Sequence, residues 1–279
     1  MKKIDLHTHT NYSDGSLEPR ALVELAKQRN LSAISITDHD TVDGLEEALK
    51  YGNELGIEVI PGLEVSTDID GEEVHLLGYF IDHKDTELKK YLNFFKNERT
   101  ERAKRILAKL AEMGVSLKLK EVKNIAMNSP ICRPHIAKLM VDKGIVTNFF
   151  AAFQQYIGDG APAAEKKIHV SPHSAVKIIN DAGGLAFIAH PGNMKEATLK
   201  RLINLGIDGI EVVHPSHKRS QQKFYRGIVN QYCLLESGGS DYHGGMRNDN
   251  GNFGKYYTSV SVLENIRGMV QSKSSLKGQ

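Results

Sequence analysis

The hydrophobic residues of this chain follow two alternating patterns. Short apolar runs rich in Val and Ile predict buried strands, and segments with apolar residues at helical spacing separate those runs. This alternation is typical of βα units. The predicted strands cover residues 4–10, 32–36, 57–65, 73–81, 185–189, 209–213 and 233–237, and the predicted helices cover 17–30, 42–55, 172–182, 196–205 and 219–230.

The middle of the chain has a different pattern. From about residue 85 to 171 the sequence predicts helices without intervening strands, at Ile106–Met113, Ile136–Met140 and Phe149–Phe153. We expect a helical insertion here, after which the βα pattern resumes. The last residues, from Ser272 onward, are expected to fray.

The composition is that of an ordinary globular chain. It has 279 residues, of which 40% are hydrophobic, and 36 Lys and Arg against 34 Asp and Glu. This length predicts one large α/β barrel or two modest domains. The near-neutral charge argues against a stable complex with long nucleic acid. The two cysteines are isolated and indicate neither a disulfide framework nor a zinc ribbon.

No apolar stretch approaches the roughly 20 residues that a membrane helix needs. The N-terminus enters the first predicted strand without a secretory segment. We therefore expect a cytoplasmic protein with no membrane partner. Nothing in the sequence predicts its oligomeric state.

Histidines and carboxylates gather near the ends of the predicted strands. His7 and His9 end the first run, and because residues i and i+2 of a strand share a face, both imidazoles can bind one ion. Imidazole suits transition metals better than calcium or magnesium. One such pair alone could equally be a solvated strand end. However, the C-terminal ends of parallel strands converge on one face of a barrel, which would bring distant ligands together. The other residues at such positions are Asp38, His39, Glu64, His75, His190, His214, Asp241 and His243.

These residues belong to motifs that together resemble the PHP family, named for polymerase and histidinol phosphatase. Within that family the chain most resembles bacterial stand-alone phosphoesterases that act on nucleoside 3′,5′-bisphosphates and on the 5′ ends of short oligoribonucleotides. The resemblance covers nearly the whole chain. Its motifs are His7-Thr8-His9-Thr10 with Ser13-Asp14-Gly15, Thr37-Asp38-His39-Asp40-Thr41, Pro61-Gly62-Leu63-Glu64, His75-Leu76-Leu77-Gly78-Tyr79, Ala189-His190-Pro191-Gly192, Glu211-Val212-Val213-His214-Pro215 and Gly239-Ser240-Asp241-Tyr242-His243-Gly244.

The resemblance implies an α/β fold, a distorted TIM-like barrel of about seven βα units. Its two parts would be residues 1–84 and 172–279, and the helical insertion 85–171 would cap the active site. It also implies two to three divalent transition metal ions, Mn, Fe or Zn, at a trinuclear site. The first ion would be held by His7, His9, Glu64 and Asp241, the second by Glu64 as a bridge with His75 and His190, and the third by Asp14, His39 and His243.

The expected nucleophile is a metal-activated hydroxide. Glu64, Asp241 and His214 are the predicted catalytic residues. The predicted substrate contacts are Arg133, His135, His214 and Ser13.

Several side chains have alternative interpretations. Arg133 and His135 begin a predicted helix, which could bind phosphate, although the residues alone equally allow a surface Arg with a capping His. Asp38 is expected to orient an imidazole rather than to be a ligand. The remaining histidines, expected to be surface or structural residues, are His83, His169, His173 and His217.

The sequence thus predicts a metal-dependent phosphoric ester hydrolase that acts on nucleotides or short oligoribonucleotides. A histidinol-phosphatase-like or general phosphomonoesterase stays open as an alternative. The segment from Asp159 to Glu165 stands where relatives more often carry a basic residue and an aromatic one, and the loss of that cation is expected to weaken binding of a second phosphate. A non-catalytic metal-binding domain is the remote alternative, because every predicted ligand position holds a competent side chain.

Overall fold

One eight-stranded sheet organises the chain in a computed structural model that describes residues 2–166, 168 and 170–277. The strand order is β7-β6-β5-β4-β3-β2-β1-β8. A parallel bridge between Thr8 and Tyr242 joins the end of β1 to the segment after β7, so the sheet almost closes into a barrel. The strands are β1 Lys3–Thr8, β2 Leu31–Ile36, β3 Glu58–Ile69, β4 Glu72–Tyr79, β5 Leu185–Ile188, β6 Gly209–Val213, β7 Leu235–Gly238 and β8 Thr258–Ser259.

Each predicted helix is present, and α4 and α10 are helices that the sequence analysis did not predict. The helices are α1 Pro19–Gln28, α2 Leu45–Leu55, α3 Thr86–Glu112, α4 Leu119–Ala126, α5 Arg133–Asp142, α6 Phe149–Ala152 with a π-helical turn Phe153–Ile157, α7 Pro172–Asp181, α8 Glu196–Asn204, α9 Arg219–Gln231 and α10 Val260–Lys277. The expectation that the chain frays from Ser272 onward is wrong up to Lys277, because α10 extends to that residue. Residues 278 and 279 lie outside the described part. No described helix has the length and apolar character needed to cross a membrane.

The α/β barrel predicted from the sequence is confirmed, but two strands run against the others, the short β8, which is antiparallel to β1, and β4. β4 is antiparallel to both β3 and β5, whereas β1, β2 and β3 are mutually parallel and so are β5, β6 and β7. His75 is the fourth residue of β4, near its N-terminal end. The expectation that His75 lies at the C-terminal end of a parallel strand is therefore wrong. Because β4 is reversed, its beginning lies beside the C-terminal ends of its neighbours, and His75 reaches the same rim.

β3 is longer than predicted because it forms a hairpin with β4. The turn is Asp70-Gly71, and both residues have positive φ, 55° and 85°. Such values are typical of the tight hairpin turn whose twist matches the flanking strands. Glu64 therefore lies in the middle of β3, paired opposite Leu77 of β4.

The chain divides into two compact units, Met1–Lys90 with Val170–Gln279, and Tyr91–His169. The first contains the sheet, and its core includes Ile4, Leu6, Ile60, Leu77, Tyr79, Leu185 and Phe187. The second has a helical core of its own, which includes Ile106, Leu110, Val122, Ile136, Met140 and Ile157. No strand occurs among the described residues of the second unit. That this unit caps the active site stays a prediction.

Asp5 and Gly239 join β1 to the segment after β7. Asp5 is fully buried, and its Oδ1 accepts hydrogen bonds from the backbone N–H groups of His7 at 3.2 Å and Ser240 at 2.9 Å. Burial raises the pKa of Asp5 to about 7. A Cβ at Gly239 would lie 2.4 Å from His7 N and 2.7 Å from Asp5 Oδ1. Only glycine fits here without moving β1.

We predict that Gly239→Ala destabilises the protein by about 1–3 kcal/mol, because its methyl group must displace backbone in a packed interior. Gly227→Ala is the matched control, since Gly227 lies inside α9 and a Cβ there meets nothing within 4 Å. This control should instead stabilise by about 0.5–1 kcal/mol through helix propensity. Urea unfolding of both variants measures the difference. Equal stability of the two would contradict the close contact at Gly239.

Candidate active site

His7 and His9 lie at the end of β1, buried and turned toward the same cluster. His7 Nδ1 lies 2.9 Å from Glu211 Oε1, and as this carboxylate oxygen can only accept, Nδ1 carries the proton. His7 Nε2 therefore is the nitrogen that faces the cluster, 3.1 Å from Glu64 Oε2 and 3.2 Å from Asp241 Oδ1. His9 Nε2 lies 3.1 Å from the same Asp241 oxygen. The first predicted ligand set is thus brought together.

Glu64 lies at the centre of the cluster and turns its two oxygens in different directions. Oε2 faces His7 and His9 at 3.1 and 3.3 Å. Oε1 lies 2.9 Å from both His75 Nδ1 and His190 Nε2. This is the arrangement that a carboxylate shared by two ions requires.

A third group lies beside His9. Asp14 Oδ1 is 3.2 Å from His243 Nε2 and 4.0 Å from His39 Nε2. His243 Nδ1 donates to the backbone carbonyl of Asp241 at 2.7 Å, so its Nε2 lone pair faces Asp14. The structure therefore brings together the residues predicted for the third ion.

The side chains fit metal ions in number and in chemistry. Four groups each place their ligand atoms within 4.8 Å of one another: His7, His9, Glu64 and Asp241; His9, Asp14, His39 and His243; His39, Glu64 and His75; and His7, Glu211 and His214. Several buried ligand atoms have no hydrogen-bond partner among the described residues, namely Asp14 Oδ1, His39 Nδ1, His75 Nδ1 and His243 Nε2. Buried polar atoms are normally paired. A cation among these imidazole and carboxylate atoms would satisfy them.

The cluster shifts the pKa values of its own members. Burial lowers the pKa of His9, but Asp241 and Glu64 outweigh burial and raise it to about 9. Burial is likewise outweighed at His75, where Glu64 raises the pKa to about 10. At His39 burial prevails and lowers the pKa to about 4. The pKa of Glu64 is held well below its usual range, because the imidazoles around it outweigh its burial.

Glu211 is a member of the cluster that the sequence reasoning missed. It is fully buried in β6, and besides its contact with His7, its Oε2 accepts the backbone N–H of His190 at 2.7 Å. It therefore fixes the ring of one predicted ligand and the backbone of another. The sequence contained a signal for Glu211, because a carboxylate inside the apolar run 209–213 is expected to be buried, and a buried carboxylate needs a partner.

His214 lies beside Asp241 at the edge of the cluster. Its Nδ1 accepts the backbone N–H of Ser216 at 3.1 Å, which leaves the proton on Nε2. Nε2 lies 3.3 Å from Asp241 Oδ2. His217, expected to be structural, is buried and is hydrogen bonded to both the Val212 carbonyl and the Gly192 N–H.

Asp38 and Ser13 are hydrogen bonded to each other beside His9. Asp38 accepts hydrogen bonds from Thr10 N at 2.7 Å and from Ser13 Oγ at 2.5 Å. Asp38 thus organises the loop after β1, and it is linked to an imidazole through Ser13, whose Oγ lies 3.5 Å from His9 Nδ1. That Asp38 orients an imidazole stays a prediction. Ser13 is buried and donates its hydroxyl proton to Asp38, so this geometry lends no support to its predicted contact with substrate.

Arg133 and His135 lie in the helical unit, at the start of α5. His135 Nδ1 accepts the backbone N–H of Cys132 at 3.1 Å, which is the capping role that the residues alone allowed. Arg133 Nη1 donates to Asp159 Oδ1 at 2.7 Å. Of the remaining histidines, His83 is half-buried, His173 is exposed, and His169 lies outside the described residues.

The comparisons with known proteins agree with this site. The PHP domain model matches residues 5–113. A 5′-3′ exoribonuclease of Haemophilus influenzae is 34% identical over 248 residues, which cover 87% of this chain and 90% of the relative. The chain belongs to the PHP family.

Two further proteins match over most of their length. A 3′,5′-nucleoside bisphosphate phosphatase of Chromobacterium violaceum is 34% identical over 250 residues, covering 87% of this chain and 88% of the relative. A structure described as a metal-dependent phosphoesterase of Bifidobacterium adolescentis superposes with a TM-score of 0.81 at 28% identity and covers 94% of each chain. This PHP protein is a metal-dependent phosphoesterase, as the sequence predicted. The identity and number of its ions stay predictions.

We predict that metal binding releases protons. His9 and His75 have pKa values of about 9 and 10, so both are protonated near pH 8 without a metal, whereas a ligating imidazole has to be neutral. Mn²⁺ affinity should therefore rise with pH. Titration calorimetry of chelator-treated protein near pH 8, in buffers of different ionisation enthalpy, should show release of about one proton or more. A binding enthalpy that does not depend on the buffer would contradict this.

Proposed function

We propose that this PHP enzyme hydrolyses phosphate esters of nucleotides, namely nucleoside 3′,5′-bisphosphates and the 5′ ends of short oligoribonucleotides. The observation that carries the proposal is the arrangement around Glu64, where histidines and carboxylates from most strands surround one shared carboxylate. The nucleotide substrate is supported by the two relatives at 34% identity, one an exoribonuclease and one a bisphosphate phosphatase. The substrate would be a small molecule or short oligonucleotide, and a cytoplasmic location stays a prediction.

We assign the ligand roles as the sequence predicted them. The first ion would be held by His7, His9, Glu64 and Asp241, the second by Glu64, His75 and His190, and the third by Asp14, His39 and His243, the ions being Mn, Fe or Zn. When bound, such ions supply an acidified water as nucleophile and offset the charge of the phosphoryl oxygens.

The chain's own residues then orient the site and move a proton. Glu211 holds the proton on His7 Nδ1 and so keeps Nε2 directed at the cluster. His214 carries its proton on Nε2, next to Asp241. We propose that this proton is donated to the leaving oxygen of the ester.

Arg133 is proposed to bind the non-reacting phosphate of the substrate. Its partner Asp159 is 91% exposed, so the ion pair is a surface pair and contributes only about 0–1 kcal/mol. A phosphate group can replace such a partner. The same pair favours the second candidate function, a general phosphomonoesterase, because Asp159 competes with any second phosphate.

We predict that Glu64→Gln reduces the occupancy of two ions together, since one carboxylate would serve both. His39→Ala should empty mainly the third site. Glu58→Gln is the matched control, because Glu58 lies on the same strand but pairs with Arg267 at the surface. Elemental analysis of the three purified variants measures the metal content per chain. Loss of a single ion in both Glu64→Gln and His39→Ala would contradict the bridging role.

We predict that Arg133→Ala lowers kcat/KM for a nucleoside 3′,5′-bisphosphate by roughly ten- to a hundredfold, the effect of losing a hydrogen bond to a charged group. p-Nitrophenyl phosphate has no second phosphate, so its hydrolysis should be spared. Arg105→Ala is the control, since Arg105 lies in the same helical unit and pairs with Glu165 at the surface.

A substrate panel completes this test. Nucleoside bisphosphates, mononucleotides, short 5′-phosphorylated oligoribonucleotides, a cyclic phosphodiester and histidinol phosphate should be compared with the wild-type enzyme. The proposal expects the highest kcat/KM on the bisphosphates or oligoribonucleotides. Equal rates on all monoesters, together with unchanged kinetics of the Arg133→Ala variant, would instead establish the general phosphomonoesterase.

A further inference from the structure

A guanidinium that the sequence analysis did not single out lies at the solvent-facing edge of the cluster. Arg247 lies in the loop that follows His243, and its Nη2 forms an ion pair with Asp14 Oδ2. Its Nη1 lies 3.9 Å from Asp241 Oδ2. The Arg247 side chain is 51% exposed, so solvent reaches it where it makes these contacts.

Arg247 lies near one oxygen of each of two carboxylates, Asp14 and Asp241, and the other oxygen of each faces the imidazole of a predicted metal ligand. The Asp241 oxygen near Arg247, Oδ2, is also the one that lies 3.3 Å from His214 Nε2. Asp14 Oδ1 lies 3.2 Å from His243 Nε2, and Asp241 Oδ1 lies 3.1 Å from His9 Nε2. The contacts of Arg247 therefore leave untouched the carboxylate atoms that face the ligating nitrogens. A guanidinium and a metal ion can bind opposite oxygens of the same carboxylate at the same time.

The loop that carries Arg247 is fixed by buried hydrogen bonds. Asp249 is 4% exposed and accepts the backbone N–H groups of His243 at 2.5 Å and Gly245 at 2.8 Å. Ser16 joins this loop to the one that carries Asp14, because its Oγ donates to the Gly244 carbonyl at 2.8 Å. A side chain held on such a loop loses less conformational freedom when it binds a ligand.

The charge at this edge favours an anion only where Arg247 lies. Within residues 2–166, 168 and 170–277, no other Lys or Arg places a nitrogen within 4.0 Å of the carboxylates of Asp14, Glu64, Glu211 or Asp241. The cluster is open at this edge, where Asp14 is 38% exposed, and also on another side, where His75 and His190 are 21% and 27% exposed and line a cavity, whereas His7 and His9 are buried completely. A phosphate ester that enters beside Asp14 meets the exposed Arg247 side chain.

We propose that Arg247 binds the phosphoryl oxygens of the substrate at the open edge of the cluster. A guanidinium has five N–H donors in a planar fork that matches phosphate, and the contacts with Asp14 and Asp241 leave some of them for a ligand. The ligand class is a phosphomonoester or inorganic phosphate. The inference rests on the metal centre of the proposed function and does not depend on the nucleotide substrate.

The test uses Arg247→Gln and Arg247→Lys in the metal-loaded enzyme, with inorganic phosphate as the binding probe and p-nitrophenyl phosphate as substrate. Arg247→Gln should keep the full metal content, bind phosphate roughly ten- to a hundredfold more weakly, and lose kcat/KM by a similar factor. Arg247→Lys should recover part of both, because it restores the charge without the fork. Arg226→Gln is the control: Arg226 is 47% exposed, pairs with Glu236, and lies outside the cluster, so nothing should change.

Three results would overturn the proposal. Loss of metal from Arg247→Gln would mean that Arg247 only positions the ligand carboxylates. Tighter metal binding with unchanged phosphate affinity would mean that it only neutralises them. No change in either quantity would make it a surface residue. Failure of the nucleotide proposal can be distinguished from failure of the Arg247 proposal. In the first case the substrate panel shows no preference for nucleotides, but Arg247→Gln still weakens the binding of inorganic phosphate.

Discussion

The rest of the site depends on the burial of one carboxylate. Glu64 has no exposed surface, and an ionised carboxylate in such a place is costly unless charges or hydrogen-bond donors compensate it. Imidazoles from several different strands and loops provide that compensation. Their nitrogens lie near the Glu64 oxygens at 3.1 Å for His7, 3.3 Å for His9, 3.4 Å for His39, and 2.9 Å for His75 and His190. The barrel thus brings residues that are far apart in sequence to a single buried charge.

The direction of one strand makes this convergence possible. β4 supplies His75 from near its beginning, while β1 supplies His7 near its end, and both reach the same rim because β4 runs antiparallel to its neighbours. Asp5 and Gly239 close the sheet beneath the same rim and hold His7 against the segment that leads to Asp241. The contact between Asp5 and Gly239 therefore both closes the barrel and positions the cluster. A change in this contact would also move the cluster.

Much of this arrangement could be predicted from the sequence, since it rests on periodicity and on residue type. The alternation of strands and helices predicted the barrel, and histidines at strand ends predicted which side chains would meet. The reversal of β4 could not be predicted in this way, because an apolar run carries no sign of its direction. The partners of Asp38 could not be predicted for a similar reason: its neighbour in sequence is His39, but its hydrogen bonds go to Thr10 and Ser13 across the rim. Arg247 could not be singled out, because its pairing with Asp14 arises from two loops that only the fold brings together.

The central claim is that Glu64 is shared between two metal ions, and diffraction from crystals loaded with Mn²⁺ tests it most directly. Anomalous difference maps should show one ion bonded to Glu64 Oε2 with His7, His9 and Asp241, and a second bonded to Glu64 Oε1 with His75 and His190. Each metal–oxygen distance should be about 2.0–2.3 Å. Anomalous density on only one side of Glu64, or ions bound away from it, would contradict the account.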